Sequence, residues 1–188
     1  LLMGLVKITY DLYLGKILLR LFQRLHVVSK AVYPEERLGK KPAFIGHKLP
    51  NGLAMLVLHQ LRKLGKLNSH RTAAARYYDE LLRDEKVGRV QTHNNSEPVF
   101  LRYTIRLPRA NEFLKAARRE KMYLGDWYTI AIAPADVDFS KIGYNPLGCP
   151  TAEKVAKETV NLPTHIHVSK QDQQRVVTFL RRFYGFKH

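Results

Sequence analysis

The side chains nearest to doing chemistry in this 188-residue sequence stand in its second half, and none completes a known constellation alone. Cys149 is the single cysteine, which excludes an internal disulfide framework and fits a reducing compartment. A thiol nucleophile needs a base beside it, and no His and Asp stand at a recognisable spacing from Cys149, so it reads as a packing residue. Asp136 and Asp138 offer oxygen ligands, but two carboxylates without further ligands at a known spacing read as a solvated loop. His165 and His167 stand two apart in a linker with no third ligand in a zinc pattern, so no metal site is expected. Nor is there a glycine-rich phosphate loop of the nucleotide type.

Charge points toward partners. Lys and Arg number 32 against 16 Asp and Glu, a formal charge of +16 that favours nucleotide phosphates, anionic lipid headgroups or nucleic acid without choosing among them. Arg62, Lys63, Lys66, Arg71 and Arg76 spread around their helices and interleave with few aromatics, so they read as a solvated surface and nucleic acid is not expected as a partner. With 45% hydrophobic residues the chain has enough apolar material for a core.

The elements that must position any site can be read from periodicity. From Leu1 to Tyr33 apolar residues dominate, and Lys7, Asp11, Lys16, Arg20 and Arg24 mark a polar stripe along a helix. Its apolar runs fall short of the roughly 20 residues of a membrane span, so it either packs on protein or lies on an anionic bilayer surface. The opening at Leu1, inside this apolar segment and without a signal-peptide pattern, suggests a cut end. Residues 34–50 read as a linker or crossing loop. Asn51 is a candidate N-cap for a helix through Leu53, Leu56, Leu61 and Leu64, weakened at Gly65. A second helix begins near Asn68 and carries Arg71, Ala75, Tyr78 and Leu82 on one face, as core packing or as a dimer surface.

Residues 84–98 read as a loop, and Val99 to Leu107 alternate as a strand with one buried face, ended by Pro108. Phe113, Leu114 and Ala117 mark a short helix from Ala110 to Glu120. Residues 122–133 read as a second extended stretch that buries Trp127, with Tyr128 on the opposite face, and 134–148 as a loop. Pro150 opens a helix with Ala152, Val155, Ala156 and Thr159 on one face, stopped at Leu162-Pro163. Ser169 and Asp172 form a capping-box start for a last helix with Val176, Val177, Leu180 and Phe183 as its stripe and Gly185 as its close. The class is α+β, with long helices preceding a small sheet that the final helices cover.

Two sets of residues go beyond periodicity. The ordered string C-P-x-A-E at 149–153, N-L-P-T-H at 161–165 and V-S-x-x-D-x-x-x-V at 168–176 resembles the C-terminus of the DegT-type sugar aminotransferases. Ala54, Leu58, Gln60, Leu61, Lys63 and Leu64, then Arg71, Ala75, Tyr78 and Leu82, resemble the family's A-x-x-x-L-x-Q-L-x-K-L and R-x-x-x-A-x-x-Y-x-x-x-L. The match runs from Pro50 to Tyr184 with gaps in the middle.

The resemblance implies the C-terminal small domain of a fold-type I pyridoxal-phosphate enzyme, divided as a helical segment 1–33, a linker 34–50 and a helical pair plus small α+β domain 51–188. It implies a large N-terminal domain, absent here, that carries the cofactor lysine, since no Lys in this chain precedes the family's Gly-Gly-rich strand start. Pyridoxal phosphate is then expected in the parent enzyme and not in this chain alone. The implied partners are that large domain, a second copy in a homodimer, an amino-acid donor such as glutamate and a nucleotide-linked keto sugar. The implied location is cytoplasmic.

Two residues take family roles. The family's N-Y-R-M-like segment, which reaches the neighbouring subunit's cofactor phosphate, aligns with Gly46, His47, Lys48 and Leu49. Lys48 keeps the charge without the planar fork of Arg and is the cofactor-binding candidate. Tyr128 lies where the family's chain leads toward the substrate mouth and is the substrate-binding candidate; no catalytic residue is assigned. A non-catalytic, membrane-peripheral scaffold built on a degenerate aminotransferase domain is the alternative.

Overall fold

The computed structural model describes residues 14–25, 32–93 and 95–186. The chain divides into two units, Leu1–Ile45 with Asp136–Tyr144, and Gly46–Ala135 with Asn145–His188. The helix expected over residues 1–33 is described only in part, as α1 (Leu14–Arg24), and the remainder of that expectation lies outside the described residues.

The first unit holds α1, the one-turn α2 (Pro34–Arg37) and the turns of 136–144. Asp136 pairs with Arg37 at 3.2 Å. The Asp138 carboxylate accepts the Ser140 hydroxyl at 2.6 Å and lies 3.6 Å from the Lys141 ammonium. Both carboxylates are thus engaged by neighbouring cations and donors of their own unit.

The second unit begins with α3 (Asn51–Leu61) and α4 (Leu64–Leu81). Pro50, not Asn51, is the N-cap, and the break falls at Arg62 and Lys63, leaving Gly65 inside α4. The expected shared face of α4 is present, with Ala75, Tyr78 and Leu82 fully buried. β1 (Gly88–Arg89), β2 (Tyr103–Arg106) and β3 (Thr159–Leu162) form one antiparallel sheet in the order β1-β2-β3, with Ile105 opposite Val160 and Thr104 opposite Asn161. The short helix is α5 (Ala110–Arg119), and the final helices are α6 (Pro150–Glu158) and α7 (Lys170–Tyr184).

The core lies between one sheet face and three helices: Tyr103, Ile105, Val160 and Leu162 meet Ala75, Tyr78 and Leu82 of the α4 end, Phe113 and Ala117 of α5, and Val176, Val177 and Leu180 of α7. Burying side chains of this size stabilises by about 1.5–3 kcal/mol each. Polar groups drawn in with them find partners, as buried side chains must. Tyr78 donates to the Pro163 carbonyl at 3.2 Å, and the Gln173 amide donates to the Ala74 carbonyl at 2.8 Å.

Five expectations are corrected. Residues 84–98 are not all loop, because Gly88 and Arg89 pair with Arg106 and Ile105. The strand expected over Val99–Leu107 is shortened to β2, because the Thr164 hydroxyl bonds the Phe100 and Leu101 carbonyls at 2.8 and 2.9 Å and takes them out of the ladder. The helix expected to run to Leu162 ends at Glu158. There the Thr159 hydroxyl donates to the Val155 carbonyl at 2.7 Å, and Thr159–Leu162 turns into the sheet as β3. The extended stretch 122–133 amounts to one bridge between Gly125 and Asn161, after which the chain turns, with Tyr128 at φ 66. Cys149, expected to pack, is exposed at the N-cap of α6.

Candidate functional site

The bridge at Gly125 builds a place where the second unit gathers aromatic, cationic and amide side chains around a cleft. Gly125 exchanges two backbone hydrogen bonds with Asn161, at 2.8 and 3.0 Å, which lays the 125–128 segment against β3. A Cβ at position 125 would stand 2.9 Å from the Asn161 Cβ and 3.0 Å from an Arg102 guanidinium nitrogen, so only glycine allows this approach. Asn161, 2% exposed, accepts from the Thr104 hydroxyl at 2.9 Å and donates to the Trp127 carbonyl at 3.0 Å. Its amide therefore holds the Trp127 backbone in place.

On that support the Arg102 guanidinium lies 4.2 Å from the centroid of the Trp127 ring. Its Nε is buried without a hydrogen-bond partner, which leaves a desolvated donor beside the ring. Tyr128 meets Trp127 edge to face, with ring centroids 6.4 Å apart. Together with Val90, Val99 and Leu101 these residues line an open cleft of about 340 Å³. Apolar walls, two exposed rings and one guanidinium suit a sugar or base stacked on the aromatics with a phosphate or carboxylate on the arginine.

The expectation that Trp127 is a core residue is overturned, since 49% of it is exposed and its ring serves as the platform for Arg102. Tyr128 lines the cleft and is 67% exposed, on a turn and not on a strand. Lys48 is exposed in the irregular segment before α3 and is not part of that lining. Gly46, two residues earlier, has φ 98, a conformation glycine adopts freely and β-branched or bulky residues do not. Arg102 and Thr104 carry no site role in the sequence reading, and Asn161 enters it only as the first residue of the N-L-P-T-H string. The available signal was Asn161 itself, a polar residue between Val160 and Leu162 that must find partners if its strand is buried.

The histidines of the linker are placed by α4. His70 Nε2 lies 3.1 Å from the His165 carbonyl, and the His165 and His167 rings are 6.1 Å apart. Burial first, then the charges of His167, Arg102 and His70, hold His165 below its ordinary range. Among the described residues no group of three His, Cys, Asp or Glu is placed to hold a metal ion.

A pyridoxal-phosphate site requires a lysine withdrawn from water and an acid facing the pyridine nitrogen. Among the described residues no lysine is buried, and the Glu85 carboxylate, whose side chain is 6% exposed, is engaged by the Arg181 guanidinium.

The fold matches one portion of solved aminotransferase structures. DesV of S. venezuelae, solved in complex with a ketimine intermediate, superposes with a TM-score of 0.64 at 21% identity, over 82% of this chain and 43% of that one. A DegT DnrJ EryC1 StrS aminotransferase from Brucella abortus gives 0.57 at 23% identity, over 68% and 34%. The chain belongs to the DegT/DnrJ/EryC1/StrS aminotransferase family, whose model matches residues 18–181. A pleiotropic regulatory protein of Geobacillus stearothermophilus is 27% identical over 155 residues, 78% of this chain and 41% of that protein. The chain thus spans about two fifths of that relative's length.

Proposed function

We propose that this chain is the C-terminal portion of a pyridoxal-phosphate aminotransferase that moves an amino group from an amino acid such as glutamate onto a keto sugar linked to a nucleotide. The observation that carries the proposal is the family match across residues 18–181. The cofactor serves as the electron sink of such a transfer and is held by parts of the fold outside this chain. Within this chain Tyr128 and Trp127 receive the sugar or base of the substrate, and Arg102 orients an anionic group of it. Lys48 meets a phosphate as a point charge, in the family's manner across a homodimer in the cytoplasm. The exposed apolar residues of α3, among them Leu53, Leu56 and Leu61, are a surface that the large domain or the second copy covers. On its own the chain neither holds the cofactor tightly nor turns over.

The test compares the 188-residue chain with a longer product that also contains the coding sequence upstream of Leu1. The longer protein is expected to show the visible absorbance of bound pyridoxal phosphate and to transfer nitrogen from glutamate to a nucleotide keto sugar, and the 188-residue chain to do neither. Tyr128→Ala in the longer protein is expected to raise the KM for the nucleotide sugar about tenfold while kcat changes little, the signature of lost binding common to ground and transition states. Turnover by the 188-residue chain alone, or a longer protein that ignores the cofactor, overturns the proposal.

A further inference from the structure

α1 has a feature that the aminotransferase reading does not use. Along Leu14–Arg24 the side chains Leu14, Ile17 and Leu21 recur at steps of three and four, and Leu25 follows one turn later, so the four form a single ridge. All four are exposed, Ile17 by 62%. Gly15, Leu18 and Phe22, on the neighbouring flank, are buried or half-buried. The helix is therefore seated by one apolar flank and shows water a second one. Arg20 and Arg24, both exposed, run along the edge of that ridge, and no Asp or Glu occurs between Leu14 and Leu25.

Such a ridge is costly to leave in water and needs an occupant. A second copy of this helix would bring Arg20 and Arg24 against their own kind, so charge disfavours self-pairing through this ridge. An anionic surface answers both halves of the pattern, apolar residues entering the acyl boundary and arginines remaining among the headgroups. No helix among the described residues is long and apolar enough to cross a membrane. We propose that α1 docks this protein onto an anionic lipid bilayer, lying in the interface plane with Leu14, Ile17, Leu21 and Leu25 inserted and Arg20 and Arg24 at the headgroups.

The experiment is flotation of the 188-residue chain with vesicles of phosphatidylcholine alone or mixed with phosphatidylglycerol. Binding is expected to the mixed vesicles only. Because a basic protein can adhere to anionic lipid by charge alone, the deciding variant is Leu21→Ser, which leaves every charge in place and is expected to weaken partition about tenfold. Arg20→Gln with Arg24→Gln is expected to weaken it by a similar factor at low salt and less at high salt. Should Leu21→Ser alter the circular dichroism spectrum, insertion is read instead from an environment-sensitive dye on Leu21→Cys in a Cys149→Ser background, which is expected to shift to the blue on mixed vesicles. Undiminished binding by folded Leu21→Ser, no dye shift, or a dimer in solution that Leu21→Ser dissolves without any vesicle binding overturns the proposal.

Discussion

Gly125 fixes how closely the Trp127 segment approaches β3, because its missing side chain is the space in which Asn161 and Arg102 stand. Gly125→Ala is expected to destabilise the fold by about 1–3 kcal/mol through overpacking, read as a lower denaturant midpoint. It also displaces Arg102 from the indole, so the emission of the single tryptophan is expected to change in the native state. An unchanged midpoint and emission would show that the Arg102–Trp127 stack does not depend on this approach. Little of this cluster was legible beforehand. Tyr128 was reached through resemblance, but Trp127 was assigned to the core because the residues that draw it outward are distant in sequence: Asn161 is 34 positions from Trp127 and 57 from Thr104. Large aromatics ordinarily read as buried, and only a tertiary neighbour reverses that.

Elements whose specification is local were read well. Ser169 accepts the Asp172 N–H at 3.1 Å while the Asp172 carboxylate accepts the Ser169 N–H at 2.9 Å, and Gly185 closes α7 at φ 68. Each of these bonds spans three residues, so the signal is contained in the string itself. Ser169→Ala is expected to cost about 1 kcal/mol, visible as a lower thermal midpoint by circular dichroism. A midpoint equal to wild type would mean that the cap is redundant with the packing of α7. β3 was misread for the opposite reason. Its four residues continue the helical spacing of Ala152, Val155 and Ala156, and what makes them a strand is β2, paired residue by residue from Tyr103–Leu162 to Arg106–Thr159. Burial on both faces erases the alternation that would otherwise have marked it.

At the scale of the molecule, the second unit carries a complete core and one incomplete surface. None of the residues of α3 is buried, and Leu56, Val57, Leu61, Leu64 and Leu67 line an open apolar groove with Arg71 at its edge. The isolated chain is therefore expected to self-associate, and Leu56→Gln with Leu61→Gln to lower the associated fraction several-fold in light scattering without changing the thermal midpoint. Equal scattering from both proteins would show that this groove is not the adhesive surface. The α+β class was legible from composition and periodicity, whereas the division into units rests on contacts no local pattern reports.

The sheet order carries a consequence for biosynthesis. The ribosome delivers α4, β1 and β2 before α5, α6, β3 and α7, so Tyr103 and Ile105 of the nascent polypeptide have only β1 and the end of α4 to pack on until Leu162, and after it α7, have emerged. During that interval the half-built layer exposes apolar surface and an unpaired strand edge, the condition that chaperones and proteases act on. A message cut short within α7 would consequently yield material destined for degradation, whatever the fate of the helices made first.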